Sequence, residues 1–127
     1  MAEITKLGKI NIQPLNEEFG NIKTDEIIVT NERIEHIKSH HPQDYDLFKD
    51  FGVETIHNPD IIIKDCKNIG TVFMVKNLPE TNLNVIVRLV LEEDDSKLKN
   101  SVMTFYRIRN KNLEKLIKRN KLLYKKE

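Results

Sequence analysis

Four runs of the chain, Asp60–Asp65, Thr71–Leu78, Leu83–Glu92 and Asn100–Arg109, are rich in β-branched and aromatic residues and read as strands. Their connections, Cys66–Gly70, Pro79–Asn82 and Glu93–Lys99, have lengths that suit antiparallel hairpins, so a four-stranded meander in chain order is expected. That constraint organises every other expectation.

Helical spacing lies on both sides of the meander. Thr30 is a good N-cap for a helix from about Asn31 to His40, whose buried stripe is Ile34 and Ile37. Pro42 disfavours helical geometry at His41, and one further turn of helical spacing carries His41 towards the packed side. A second helix, Gln43 to about Asn58, presents Leu47, Phe48 and Phe51, with Gly52 expected to interrupt it and Pro59 to end it. A last helix, about Lys111–Asn120, places Leu113, Leu116 and Ile117 on one side, and Leu122, Leu123 and Tyr124 dock the tail. Residues 1–25 are weakly patterned: Ile10 and Ile12 suggest a short strand, Asn16–Asp25 a loop, and Glu26–Val29 a second short strand. The expected fold is α+β: N-terminal helices, then a four-stranded antiparallel sheet and a C-terminal helix. Residues 1–25 form an extension to one domain spanning 26–127.

Charge separates the chain more sharply than its net value of +1 suggests. Residues 1–106 carry 12 Lys and Arg against 18 Asp and Glu, whereas residues 107–127 carry nine against two. A basic end of this kind serves either a polyanion or solubility, and both readings stay open. With Cys66 alone no internal disulfide can form, and a reducing compartment is expected. The opening residues Met-Ala-Glu-Ile-Thr-Lys lack the apolar run of a signal peptide, and no stretch has the 20 or so apolar residues of a membrane span, so a cytoplasmic protein is expected.

Alternation also assigns faces. Val85, Val87, Leu89 and Leu91 share one side of their strand; Phe73 and Val75, then Met103 and Phe105, are expected on the same side of the sheet. The other side then gathers Lys64, Lys76, Arg88, Thr104 and Tyr106 among Ile62, Met74, Ile86 and Val90. Such a face is either an ordinary wet face or a cleft. As a cleft it suits RNA chemistry: a base for the 2′-hydroxyl, an acid for the leaving 5′-oxygen, and cations for the phosphate. His41 is the candidate acid or base, Arg88 and Lys76 neutralise charge, and Thr104 or Tyr106 donate to the phosphate or relay a proton. A metal site is the rival, since His36 and His40 are spaced i, i+4, but Ile37 stands where the metalloprotease motif has Glu.

The succession His40-His41-Pro42, His57-Asn58-Pro59-Asp60 and Asn100-Ser101-Val102-Met103-Thr104-Phe105-Tyr106-Arg107 resembles the phage and mobile-element branch of the barnase, EndoU, colicin and RelE-like nuclease superfamily. The resemblance covers about residues 26–124. His40 and His41 match a basic residue and His before Pro, with His where Arg is more usual. Ser101 to Tyr106 match a small polar residue, two apolar ones, Thr, an apolar residue and Tyr. The resemblance implies a ribonuclease needing no metal or cofactor, often a toxin or effector with RNA as substrate and an inhibitor or immunity protein as partner. Its site is expected to use His41, Arg88, Thr104 and Tyr106 for catalysis, with Lys64, Lys76, His40, Arg107 and Arg109 holding substrate. The alternative is a non-catalytic module that binds nucleic acid or a partner protein through the same face.

Overall fold

The alternating runs lie at the centre of a larger sheet. The computed structural model describes residues 3–95 and 97–126. In chain order the elements are β1 (Ile4–Lys9), α1 (Gln13–Phe19), β2 (Glu26–Thr30), α2 (Asn31–His40), α3 (Pro42–His57), β3 (Ile61–Lys64), β4 (Thr71–Asn77), β5 (Asn82–Arg88), β6 (Asn100–Ile108), α4 (Asn110–Arg119) and β7 (Lys121–Lys125). The sheet has seven strands in the order β1-β2-β6-β5-β4-β3-β7. All neighbours run antiparallel except β2 and β6, which are parallel. Among the described residues no helix is long and apolar enough to cross a membrane.

This overturns the expected four-stranded antiparallel sheet with its helices at the two ends. The sheet is mixed and the helices are interspersed among the strands. The reason is non-local. An outer strand such as β3 exposes a row of unpaired backbone groups, and β7 satisfies them, pairing Ile61 with Lys125 and Lys64 with Lys121. On the far side β2 joins β6 through only Ile27↔Asn100 and Ile28↔Ser101. Fully buried Asn100 fastens that junction: its Nδ2 donates to the carbonyls of Thr24 (2.7 Å) and Glu26 (2.9 Å), and its Oδ1 accepts from Val90 N (2.8 Å). Residues 13–19, expected partly as loop, form α1 instead and bury Leu15 completely.

The sheet is covered on both sides. On one, α1, α2 and α3 enclose the main core, where Leu15, Ile37, Phe48 and Ile56 meet Ile62, Met74, Val85, Val87, Val102 and Phe105. Phe48 stacks on Phe105, centroids 3.9 Å apart and planes 9° from parallel. On the other, α4 places Leu113, Leu116 and Ile117 on Ile61, Ile63, Phe73, Val75 and Ile108. Phe73 and Val75 were expected with Val85 and Phe105; the register pairs Phe73 with Ile86 and Met74 with Val85, which turns them to the α4 side. A strand buried on both faces carries apolar residues on both, so alternation does not identify its core side.

Lys64 and Lys76 change sides for the same reason. Lys64 pairs with Val72, Lys76 with Leu83, and both lie on the side of α1–α3, whereas Arg88, Thr104 and Tyr106 lie on the α4 side. Met103 is a further correction. Ile86 pairs with Thr104 and Val87 with Val102, so Met103 is the extra residue of a bulge and is 44% exposed rather than beside Phe105.

Some local expectations meet the structure directly. Thr30 caps α2, its Oγ1 accepting from Arg33 N at 3.2 Å. Gly52, by contrast, does not interrupt α3, which runs unbroken beneath Phe48. A Cβ at position 52 lies 2.6 Å from Phe48 Cδ1, and the stack on Phe105 leaves that ring little freedom. Gly52→Ala gains about 1 kcal/mol of helix propensity but overpacks a core contact at a cost of roughly 1–3 kcal/mol. The second effect wins, and chemical denaturation is expected to show a net loss of about 1 kcal/mol.

A surface network makes a pH-dependent prediction. Glu18 of α1 pairs with Lys121 of β7 and, at 3.2 Å, with Lys64 of β3. The hydrogen bond from Lys121, then that from Lys64, lowers its carboxyl below the ordinary 4.5. A carboxyl that binds protons less readily when folded contributes stability above its unfolded pKa and loses it as pH falls through the folded one. The stability difference between parent and Glu18→Gln should therefore shrink as denaturation is repeated from neutral pH to below about 4.5.

Candidate nucleic-acid interface

The end of β6 divides its side chains between two surfaces. Thr104 and Tyr106 point to the α4 side, opposite Ile86 and Asn84, whereas Arg107 points to the α3 side. Because α4 begins two residues after β6 ends, at Asn110, the helix folds back over the strand it leaves. Asn112, Lys115, Leu116 and Arg119 have the helical spacing that brings them to one side. Together with Tyr106, Arg107 and Ile108 they line a depression of about 460 Å³. Among the described residues, no ion pair within 4.0 Å involves Lys115 or Arg119.

Across β6, Arg107 is held in a latch. Its Nε donates to Asp44 Oδ1 at 2.7 Å, its backbone N to the same oxygen at 3.2 Å, and its Nη1 to Gln43 Oε1 at 2.6 Å. Asp44 is buried in the first turn of α3, where its negative charge also suits the helix N-terminus. The latch borders a cavity of about 410 Å³ shared with Glu80, Thr81 and Arg109, and another of about 490 Å³ walled by Leu47, Phe51, Leu78 and Pro79. Asp44→Ala removes two hydrogen bonds and the acidic group of the first turn while leaving Arg107 open to water. A loss of about 1–3 kcal/mol is expected in denaturant titration.

His41 occupies the joint between α2 and α3 on this second side, its backbone N donating to Ile37 O at 2.6 Å. Its side chain is exposed rather than turned towards the sheet, because the chain leaves helical geometry there before Pro42. His40 is exposed too; its ring stacks on His36 with centroids 4.4 Å apart, and its Nδ1 lies 2.9 Å from His36 O. Among the described residues no three His, Cys, Asp or Glu side chains converge as a metal site.

The strand cations are occupied locally. Lys64 pairs with Glu18, and Lys76 Nζ donates to Asn58 O at 3.0 Å with Asp60 at 3.6 Å and Glu54 at 3.7 Å. Arg88 meets Asp94 at 3.4 Å and donates to Leu89 O, over Gly70. Of the residues selected from sequence, Thr104, Tyr106 and Arg88 thus share a face, with Arg88 near its loop end; Arg107 and Arg109 stand near His41's side; Lys64 and Lys76 fasten the fold. Sequence reasoning overlooked Asn112, Lys115 and Arg119 as site residues, although their spacing directly after β6 was readable. It also overlooked Asn84.

The cations of α4 thus lie beside the half-buried Tyr106 at the end of β6. A family model described as phage-Barnase-EndoU-ColicinE5/D-RelE like nuclease2 matches residues 2–125. The chain belongs to this family, and its substrate class is nucleic acid. The match begins well before residue 26, where the sequence resemblance began, and takes in β1 and α1. No curated protein and no solved structure matches the chain.

Proposed function

We propose that the domain is an endoribonuclease that acts without a metal ion, cleaving RNA laid against Tyr106 and α4. The carrying observation is the depression that Tyr106 lines together with Asn112, Lys115 and Arg119. The scissile phosphate sits between Lys115 and Arg119, which stabilise the charge that develops on it. The ribose 2′-oxygen attacks phosphorus and gives its proton to water. The bond from phosphorus to the 5′-oxygen breaks, and Tyr106 supplies the proton that this oxygen needs. Thr104, two residues earlier on the same face, donates to the neighbouring nucleotide. Arg109 takes up the RNA where it passes over the end of β6, while Arg88 and Arg107 stay with their carboxylate partners. His41 is the rival proton-transfer group, on the Arg107 side of the sheet.

A second reading, a module that binds nucleic acid without cutting it, is favoured by one observation. Among the described residues, neither a carboxylate nor an imidazole lines the depression. One assay separates the readings: RNA incubated in EDTA with the parent, Tyr106→Phe, His41→Ala and the double variant Lys115→Ala/Arg119→Ala. Tyr106→Phe should fold normally and cleave about 10²–10⁴ times more slowly. The double variant should bind single strands with a salt slope smaller by roughly 0.7 for each lost contact. Binding without cleavage by the parent selects the module. Activity lost in His41→Ala but kept in Tyr106→Phe moves the chemistry to the Arg107 side, and a parent that neither binds nor cuts RNA ends both readings.

A further inference from the structure

Three asparagines are buried in the central strands, and two have clear employment. Asn100 makes three hydrogen bonds, to Thr24 and Glu26 at the start of β2 and from Val90 in the loop leaving β5. Asn82 donates to Ile108 O at 3.0 Å and to Asn110 Oδ1 at 2.7 Å. Asn84, in the middle of β5, is wholly shielded from solvent, and neither its Oδ1 nor its Nδ2 has a partner among the described residues. Its ladder neighbours are Val75 and Tyr106, with Leu113 and Ile108 in the apolar cluster on the same side. A buried amide with both ends idle loses its hydration and recovers nothing, so an apolar side chain would suit that position better.

Its position suggests what the amide is for. Side chains directly opposite in an antiparallel pair stand with Cβ atoms about 4.5–5.5 Å apart, so Asn84 lies immediately beside Tyr106. Tyr106, Ile108 and Leu116 wall the cationic depression, and Tyr106 and Leu116 are only half-buried. Tyr106 therefore stands between the depression and the amide.

We infer that Asn84 is the floor of the RNA site and pairs with the edge of a nucleobase when the Tyr106 ring turns off the amide and towards the scissile phosphate. The inference rests on the proposed RNA binding at that depression. An amide offers one acceptor and two donors in a plane, which is the complement of a base edge and a poor match to a phosphate. Phosphate contacts then fall to Lys115 and Arg119, and base preference falls to Asn84.

The test reads the Asn84 side-chain amide by ¹⁵N–¹H NMR in the full chain, during titration with inorganic phosphate, an abasic oligonucleotide and 2′-deoxy oligonucleotides of each base. Deoxy strands bind but lack the attacking hydroxyl, so they stay intact. The Asn84 signal should move with base-bearing strands, and most with one base. It should stay still with phosphate and the abasic strand, which shift only signals around α4. In parallel, Asn84→Val should melt at a higher temperature and lose about tenfold in discrimination among the four bases, with Asn84→Ala as a second variant should valine prevent folding. A base-bearing strand that binds without moving the Asn84 signal overturns the inference and leaves RNA binding intact. A lower melting temperature in both variants shows an amide employed in the fold and overturns it as well. Strands that do not bind at all overturn the proposed function and this inference together.

Discussion

The extra residue at Met103 is the constraint on which both surfaces of β6 depend. With strict alternation, Val102 and Phe105 would point to opposite sides of the sheet. Both lie in the main core, because the bulge opposite Ile86 and Val87 inserts one residue between them. Phe105 can then stack on Phe48, which seats α3 on the sheet, while Thr104 and Tyr106 emerge on the α4 side. A shift of one residue in a strand exchanges its two faces. Removing the bulge would place either Val102, or Phe105 and Tyr106 together, on the wrong side, so core and site are set by the same local irregularity.

Two ties keep that strand in place. Asn100 binds its start to β2 and to the loop leaving β5. Arg107 binds its end to the first turn of α3 through Asp44 and Gln43. Both use a side chain to satisfy backbone groups or charge at a point where regular pairing stops. The strand between them is consequently a fixed platform, which holds the backbone of Tyr106, the proposed proton donor, in place while its ring turns towards a phosphate.

Much of this was legible from local pattern, and the remainder failed for identifiable reasons. The runs behind β3 to β6, the Thr30 cap and the apolar side of α4 all follow from spacing of a few residues. The pairings of β7 with β3 and of β2 with β6 join segments far apart in the chain, and no window of sequence contains both partners. The parity of Thr104 and Tyr106 was readable because β6 keeps alternation after its bulge; the side of Phe73 was not, because β4 is apolar on both faces. Lys64 and Lys76 looked like substrate ligands by residue type. Their employment by Glu18, Glu54 and Asp60 depends on loops and helices that only the fold brings near.

Charge then distinguishes fastening from recognition. Lys64, Lys76, Arg88 and Arg107 each have a carboxylate within 4.0 Å. A paired cation presents little field to a ligand, since attraction to a phosphate must first be set against the partner it would leave. Lys115 and Arg119 have no such partner among the described residues and stand on a helix packed on the sheet through Leu113, Leu116 and Ile117. The basic excess of residues 107–127 is therefore not uniform in effect: Arg107 is spent on the fold, and α4 carries the part that faces outward. Among the described residues the depression is lined by no carboxylate or imidazole but by Tyr106, Lys115, Arg119 and the paired Arg107, so any catalysis there must rely more on stabilising phosphate charge than on a strong base.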